Sequence, residues 1–167
     1  MKDINMFGYV NVNGNYKSPY KNLISDRGIS EKTFFFPDGL PGFEKNKEFA
    51  FVFSLKSNPF ILMNFCGETK FSFMCIDPFY VFPNYKPVLS SEDQLILNTS
   101  TNDFNLVFLS IAKFDKENIA KGDLSSGNLI IKSPIIINCK NYYGKQIVLN
   151  NREYFEPCPF KDLKKFE

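Results

Sequence analysis

Along most of this chain apolar and polar positions alternate with a period of two. Phe49, Phe51, Phe53 and Leu55 alternate with Ala50, Val52 and Ser54, a spacing that puts one aromatic face inward and predicts a strand. Ser57-Asn58-Pro59 turns the chain, residues 60–65 run back, and Gly67-Glu68-Thr69 turns it again. Phe71, Phe73 and Cys75 repeat the alternation as far as Asp77-Pro78, where proline ends a central strand, so the three runs predict a meander. Residues 6–12, 104–111 and 128–131 are further strand-like runs. Residues 134–138 and 145–149 form a hairpin in which Gly144 is expected at a left-handed or bulge position. Ser90-Ser91-Glu92-Asp93 before Gln94-Leu95-Ile96-Leu97 reads as a short helix with a serine cap and acids at its positive end, and residues 113–127 hold another helical turn. The sum is an all-β, mainly antiparallel fold of about eight strands, a small closed or nearly closed β-barrel with short helices in the connections.

One stretch breaks the pattern. Residues 34–44, FFFPDGLPGFE, run from aromatics into two Pro/Gly turns, where Pro37 and Pro41 restrict φ and Gly39 and Gly42 supply positive φ. Leu40 and Phe43 are left to pin this rigid double turn onto the core. Residues 13–32 are polar, contain Gly14, Pro19 and Gly28, show no period, and read as a loop insertion or as an arm that folds onto a partner. Residues 1–155 are therefore expected to form one domain, and residues 156–167, interrupted by Pro157 and Pro159, a C-terminal tail. In that tail Phe160, Leu163 and Phe166 are spaced for one face, either packed at the domain edge or inserted into a partner's groove.

Composition narrows the chemistry. The 167 residues carry 20 Lys plus Arg against 18 Asp plus Glu, a net charge of +2 that provides no whole-molecule field for nucleic acid or anionic lipid. The chain has no histidine, which removes the usual general base and the commonest metal ligand. Cys66, Cys75, Cys139 and Cys158 are irregularly spaced without a C-x-x-C pair and are expected as free thiols. The opening MKDINMFGYVNVNGN has no apolar core of signal-peptide length, and a cytoplasmic location is expected. Neither a cofactor nor a metal is implied.

Three blocks together resemble the flagellar assembly factor FliW family. The first is Phe36-Pro37-Asp38-Gly39-Leu40-Pro41-Gly42-Phe43-Glu44, similar to that family's FPxGLPGFE loop. The second is Asp77-Pro78-Phe79 with Phe82-Pro83-Asn84-Tyr85, similar to DPFxxFPxY. The third joins Asn128-Leu129, Ser133-Pro134-Ile135-Ile136-Ile137-Asn138 and Gly144-Lys145-Gln146-Ile147-Val148-Leu149, similar to NL-x-x-PIVIN and GxQVVL. The blocks come in the family's order. Departures are the expanded polar stretch after the first strand and a charge-balanced tail where many relatives have an acidic one.

The resemblance implies a cytoplasmic protein, not an enzyme, that binds flagellin and alternatively binds CsrA, the dimeric regulator that represses flagellin translation. It implies no direct binding of nucleic acid and no membrane contact. Pro83 and Pro87 prevent Phe79, Tyr80, Phe82 and Tyr85 from sharing one alternating strand, so some of these rings are expected at the surface as interface anchors, with core packing the alternative for each. Asp77 is expected to bond its own backbone in a turn. Lys140, Tyr142, Tyr143 and Lys145 stand near the hairpin tip and are open to a partner or to solvent. Together with Phe160 and Phe166, the aromatic segment and the pair Lys140 and Tyr142 make up the expected protein-binding set. A different reading, a β module binding single-stranded RNA on its aromatic rings, lacks an RNP-type motif or basic stripe. An enzyme reading has only Glu44, Asp77 and Asp93, which form no paired motif.

Overall fold

A computed structural model describes residues 10–12, 15–17, 29–54, 60–68, 70–99 and 105–161. Among them are eleven strands and two short helices. The strands are β1 (Val10–Val12), β2 (Asn15–Lys17), β3 (Ile29–Phe35), β4 (Glu48–Ser54), β5 (Phe60–Phe65), β6 (Ser72–Ile76), β7 (Leu106–Lys113), β8 (Gly127–Leu129), β9 (Ile135–Asn138), β10 (Gly144–Gln146) and β11 (Cys158–Phe160). The helices are α1 (Ser91–Ile96) and α2 (Lys116–Ala120).

The main sheet runs β10-β9-β7-β6-β5-β4-β3, and every neighbouring pair is antiparallel. β8 pairs with the far end of β7 and carries β11 on its other side. β1 and β2 form a separate hairpin, with β2 beside a 3₁₀ turn at Pro78–Tyr80.

Two apolar cores lie on the two faces of this sheet, and β7 serves both. Val107 and Leu109 point into a Phe-rich core with Phe34, Phe36, Phe49, Phe51 and Phe53. Leu106 and Phe108 point into a second core closed by Phe79, Tyr85, Leu97 and Tyr154 from the connections. A strand buried on both faces loses the alternation of a half-buried one, which is why this segment reads as a continuous apolar run.

The antiparallel β class expected from the pattern is present, but the sheet does not close into a barrel. Its end strands meet at a single parallel bridge between Phe35 and Tyr143, where Phe35 N–H donates to Tyr142 O at 2.8 Å. A side chain fills the seam instead of a ladder. The Phe36 ring lies against Gly144, and a Cβ there would overlap Phe36 Cε1. Gly144 is thus a strand residue in regular register, required for close packing, and not the left-handed or bulge residue expected. Tyr142 takes the positive φ instead, at 63°.

Three strands escape the sequence pattern. β2 and the first half of β3 fall within residues 13–32, so the expected loop insertion contains paired backbone. In β3, Ile29, Glu31, Thr33 and Phe35 all face outward, and apolar Ile29 and Phe35 outside with polar Ser30 and Lys32 inside hide the period. β11 lies inside the expected tail, with Pro159 opposite Asn128. Proline is tolerated there because β11 pairs on one side only.

Candidate functional site

The Pro–Gly loop, α1 and the β9–β10 hairpin tip converge on one corner of the molecule. The loop takes its shape from local constraints: Gly39 has φ 66° and Gly42 φ 84°. Glu44 Oε1 accepts the Gly42 N–H at 2.8 Å, which holds that carboxyl below its usual range, and Lys47 Nζ donates to Pro37 O at 2.9 Å. Leu40 is buried and Phe43 packs edge-on against Phe65 at 4.9 Å, as the sequence suggests.

α1 begins with a reciprocal cap. Ser90 Oγ accepts the Asp93 N–H at 3.0 Å and Asp93 Oδ2 accepts the Ser90 N–H at 3.1 Å. The other carboxylate oxygen, Oδ1, holds Lys145 Nζ of β10 at 2.8 Å, with Asp38 Oδ2 of the loop farther off at 3.8 Å. Burial alone would raise the Asp93 pKa, but the bonds from Lys145 and Ser90 outweigh it and leave the carboxyl lowered.

The far end of α1 is held from the hairpin. Asn138 Nδ2 donates to Leu97 O at 3.1 Å, while Asn141 Nδ2 donates to Leu97 O at 3.2 Å and Asn98 O at 3.0 Å. Two asparagine amides thus serve carbonyls that a helix leaves unsatisfied at its end. The same side chains shape the tip, since Asn138 Oδ1 accepts Lys140 N–H and Asn141 Oδ1 accepts Tyr143 N–H. Asn98 (φ 50°) and Tyr142 (φ 63°) are the non-glycine residues with positive φ among those described, and both sit at this junction. The structure therefore concentrates its backbone strain where α1 meets the hairpin. Tyr142 stays 37% exposed with its ring 5.3 Å from Phe34, Lys140 is exposed, and Leu95 stands 80% exposed on α1.

The sequence model of the FliW protein family matches residues 21–157. The chain belongs to the FliW family. Its relatives include the flagellar assembly factor FliW of Thermoanaerobacter pseudethanolicus, 32% identical over 136 residues that cover 80% of this chain and 86% of that protein. The flagellar assembly factor FliW of Thermotoga neapolitana is 31% identical over 124 residues, covering 74% of this chain and 79% of its own. A crystal structure of the flagellar assembly factor FliW superposes with a TM-score of 0.64 over 98% of both chains; at 21% identity this likeness speaks to the fold.

The FliW blocks divide between this corner and the core. The first and third supply the Pro–Gly loop and the hairpin, whereas the second turns mostly inward. Asp77 Oδ1 accepts Phe79 N–H at 3.0 Å, the turn expected for it. Phe79, for which interface anchor and core packing were both open, is buried edge-on against Tyr85 and Phe108 at 5.7 and 6.0 Å and is not available as an anchor. Tyr85 is buried too; its hydroxyl donates to Ile131 O at 2.6 Å, and burial pushes its pKa up. The 3₁₀ turn at Pro78–Tyr80 rolls Phe79 onto the second core, where Tyr85 joins it.

Tyr80 and Phe82 keep partial exposure, Phe82 lying against Tyr154 at 6.0 Å. Phe160, placed by the sequence either at the packed domain edge or in a partner's groove, is buried against Phe114 at 6.0 Å because β11 draws it into the sheet, and so is not available to a partner. Phe166 lies outside the described residues. Lys145 is bound to two carboxylates rather than offered to a partner, and Asp38 and Asp93 are not identifiable as its companions from the sequence because both contacts span separate elements.

Cys66, Cys75, Cys139 and Cys158 are free thiols. Burial pushes Cys75 and Cys139 up to about 12. Among the described residues no group of three or more His, Cys, Asp or Glu side chains could hold a metal ion, and no helix is long and apolar enough to cross a membrane.

Proposed function

We propose that this flagellar assembly factor works in the cytoplasm by occupancy: it binds flagellin and, alternatively, the CsrA-type regulator that represses flagellin translation. Accumulated flagellin fills the protein and leaves the regulator free to repress. Export of flagellin empties it, and the regulator is captured away from its messenger. Two mutually exclusive binding equilibria, with coupling between protein and RNA binding on the regulator, are sufficient for this behaviour.

The contact surface in this proposal is the corner built from α1 and the hairpin tip, with Lys140, Tyr142 and Leu95 facing outward and Tyr80 and Phe82 available as partly exposed rings. The observation that carries the choice is the pairing of exposed side chains with a strained, heavily hydrogen-bonded base. Tyr142 holds a left-handed backbone at a cost that glycine would avoid, and its ring remains accessible. A rigid aromatic on a preorganised base loses little entropy on binding.

Titration of the purified protein with flagellin and with the regulator, for wild type and Tyr142→Ala/Lys140→Glu, tests the assignment. Loss of at least about tenfold in affinity for one partner, with an unchanged circular dichroism spectrum, is expected for a central anchor pair. Unchanged affinity for both partners would place the surface elsewhere.

A further inference from the structure

α1 has six residues, too few to be stable by themselves, so tertiary contacts must decide where it sits. It is held at two points. Asn138 and Asn141 grip the carbonyls of Leu97 and Asn98 at its C-terminal end, and Lys145 grips Asp93 in its first turn. Lys145 comes from β10, where it pairs with Ile136, and its side chain is only 15% exposed.

A lysine this sheltered is costly unless its charge is met. If α1 swings away, the ammonium keeps, among the described residues, only Asp38, 3.8 Å off and 59% exposed. Undocking the first turn would thus leave a half-buried charge poorly paired, whereas docking satisfies Lys145 and completes the Asp93 cap together. The same lysine also comes within 3.8 Å of Asp38 in the Pro–Gly loop, so one side chain touches all three elements.

We propose that Lys145 is a positioning residue that locks α1 and the Pro–Gly loop against the hairpin, so that Leu95 and Tyr142 are presented in one fixed geometry to the protein partner. The inference rests on the binding surface proposed above. Lys145 itself need not touch the partner. Without it α1 pivots about Leu97, the docked arrangement is populated only part of the time, and apparent affinity falls in proportion to that fraction.

The test compares wild type, Lys145→Met, Lys145→Arg and, as a remote loss of one positive charge, Lys121→Met. Amide hydrogen exchange reads the docking of α1, and titration with flagellin and with the regulator reads the surface. Lys145→Met is expected to speed exchange in α1 and at the hairpin tip while β4–β5 stay protected. It is also expected to weaken partner binding about tenfold, as a docked fraction of one tenth requires. Lys145→Arg recovers most of both effects, and Lys121→Met binds like wild type. Partner affinity within about twofold of wild type in folded Lys145→Met, or unchanged exchange in α1, overturns the proposal. Should Lys145→Met fail to fold, Asp93→Asn removes the same ion pair and is read on the same two scales. If wild type binds neither protein, the proposed function fails, and the exchange data still decide whether Lys145 holds α1.

Discussion

The Pro–Gly loop and the β9–β10 tip stand side by side and both reverse the chain, yet they hold their shapes by different means. In the loop, glycines occupy the positive-φ positions, and the stabilising bonds, such as Gly42 N–H to Glu44, join close neighbours in sequence. At the tip, a tyrosine occupies the positive-φ position and the asparagines that shape it reach back more than forty residues to Leu97 and Asn98. The loop is a shape the chain carries with it. The tip is bonded within itself and also to α1, and a turn tied to a distant element in that way can couple a surface to its surroundings.

Substitutions can push this contrast to failure. The largest effect is expected for Gly39→Ala, where a Cβ would come 2.8 Å from the Glu44 Cα in a left-handed backbone. Steric overlap and backbone strain together should cost about 3 kcal/mol, read as a lower denaturation midpoint. Asn141→Ala should follow at about 1–2 kcal/mol, because it strips bonds from Leu97 O, Asn98 O and Tyr143 N–H together, and exchange should quicken in α1 but not in the loop. Gly42→Ala faces open space and should cost only the backbone term, about 1 kcal/mol. If Gly42→Ala proved as damaging as Gly39→Ala, the loop would depend on contacts outside itself, and the contrast would weaken.

Tyr142→Gly should change stability by less than about 1 kcal/mol, since relief of the left-handed strain offsets the lost contact with Phe34. Its effect belongs on binding, so a large loss of stability would reassign Tyr142 to the core.

The smallest expected effect is a pH dependence. The Asp93 carboxyl is lowered in the folded protein, so its contribution is present above the ordinary aspartate value of about 3.9 and is lost as pH falls through the lower folded value. Acid denaturation of Asp93→Asn should therefore show a shallower decline than wild type in that window.

Much of the fold is legible in the chain because its signals are local. The Phe49, Phe51, Phe53 alternation yields β4, residues 60–65 coincide with β5, and the Ser90 to Asp93 spacing yields the cap of α1. The edge strands β3 and β11 were obscured for a related reason: a strand paired on one side can carry Glu31 or Pro159, and the residues that give an edge its tolerance also hide it.

The candidate site was less legible. Lys140 and Tyr142 were identifiable as turn residues beside a family motif, but nothing nearby in sequence tells Phe79 from Phe82, one sunk against Phe108 and the other half-covered by Tyr154. The role of Gly144 is equally silent, because its reason is the ring of Phe36, a hundred residues away in the chain and against it in space.

By itself the sequence determined the β class, the rigid Pro–Gly turn and the start of α1, since backbone sterics, side-chain period and capping act over a few residues and need no partner. Only the tertiary structure decided which aromatics became core, that the sheet stops short of closing, and that Lys145 joins α1, loop and hairpin at one corner. Those outcomes depend on which distant side chains compete for the same space or the same charge, and that competition exists only once the chain has folded.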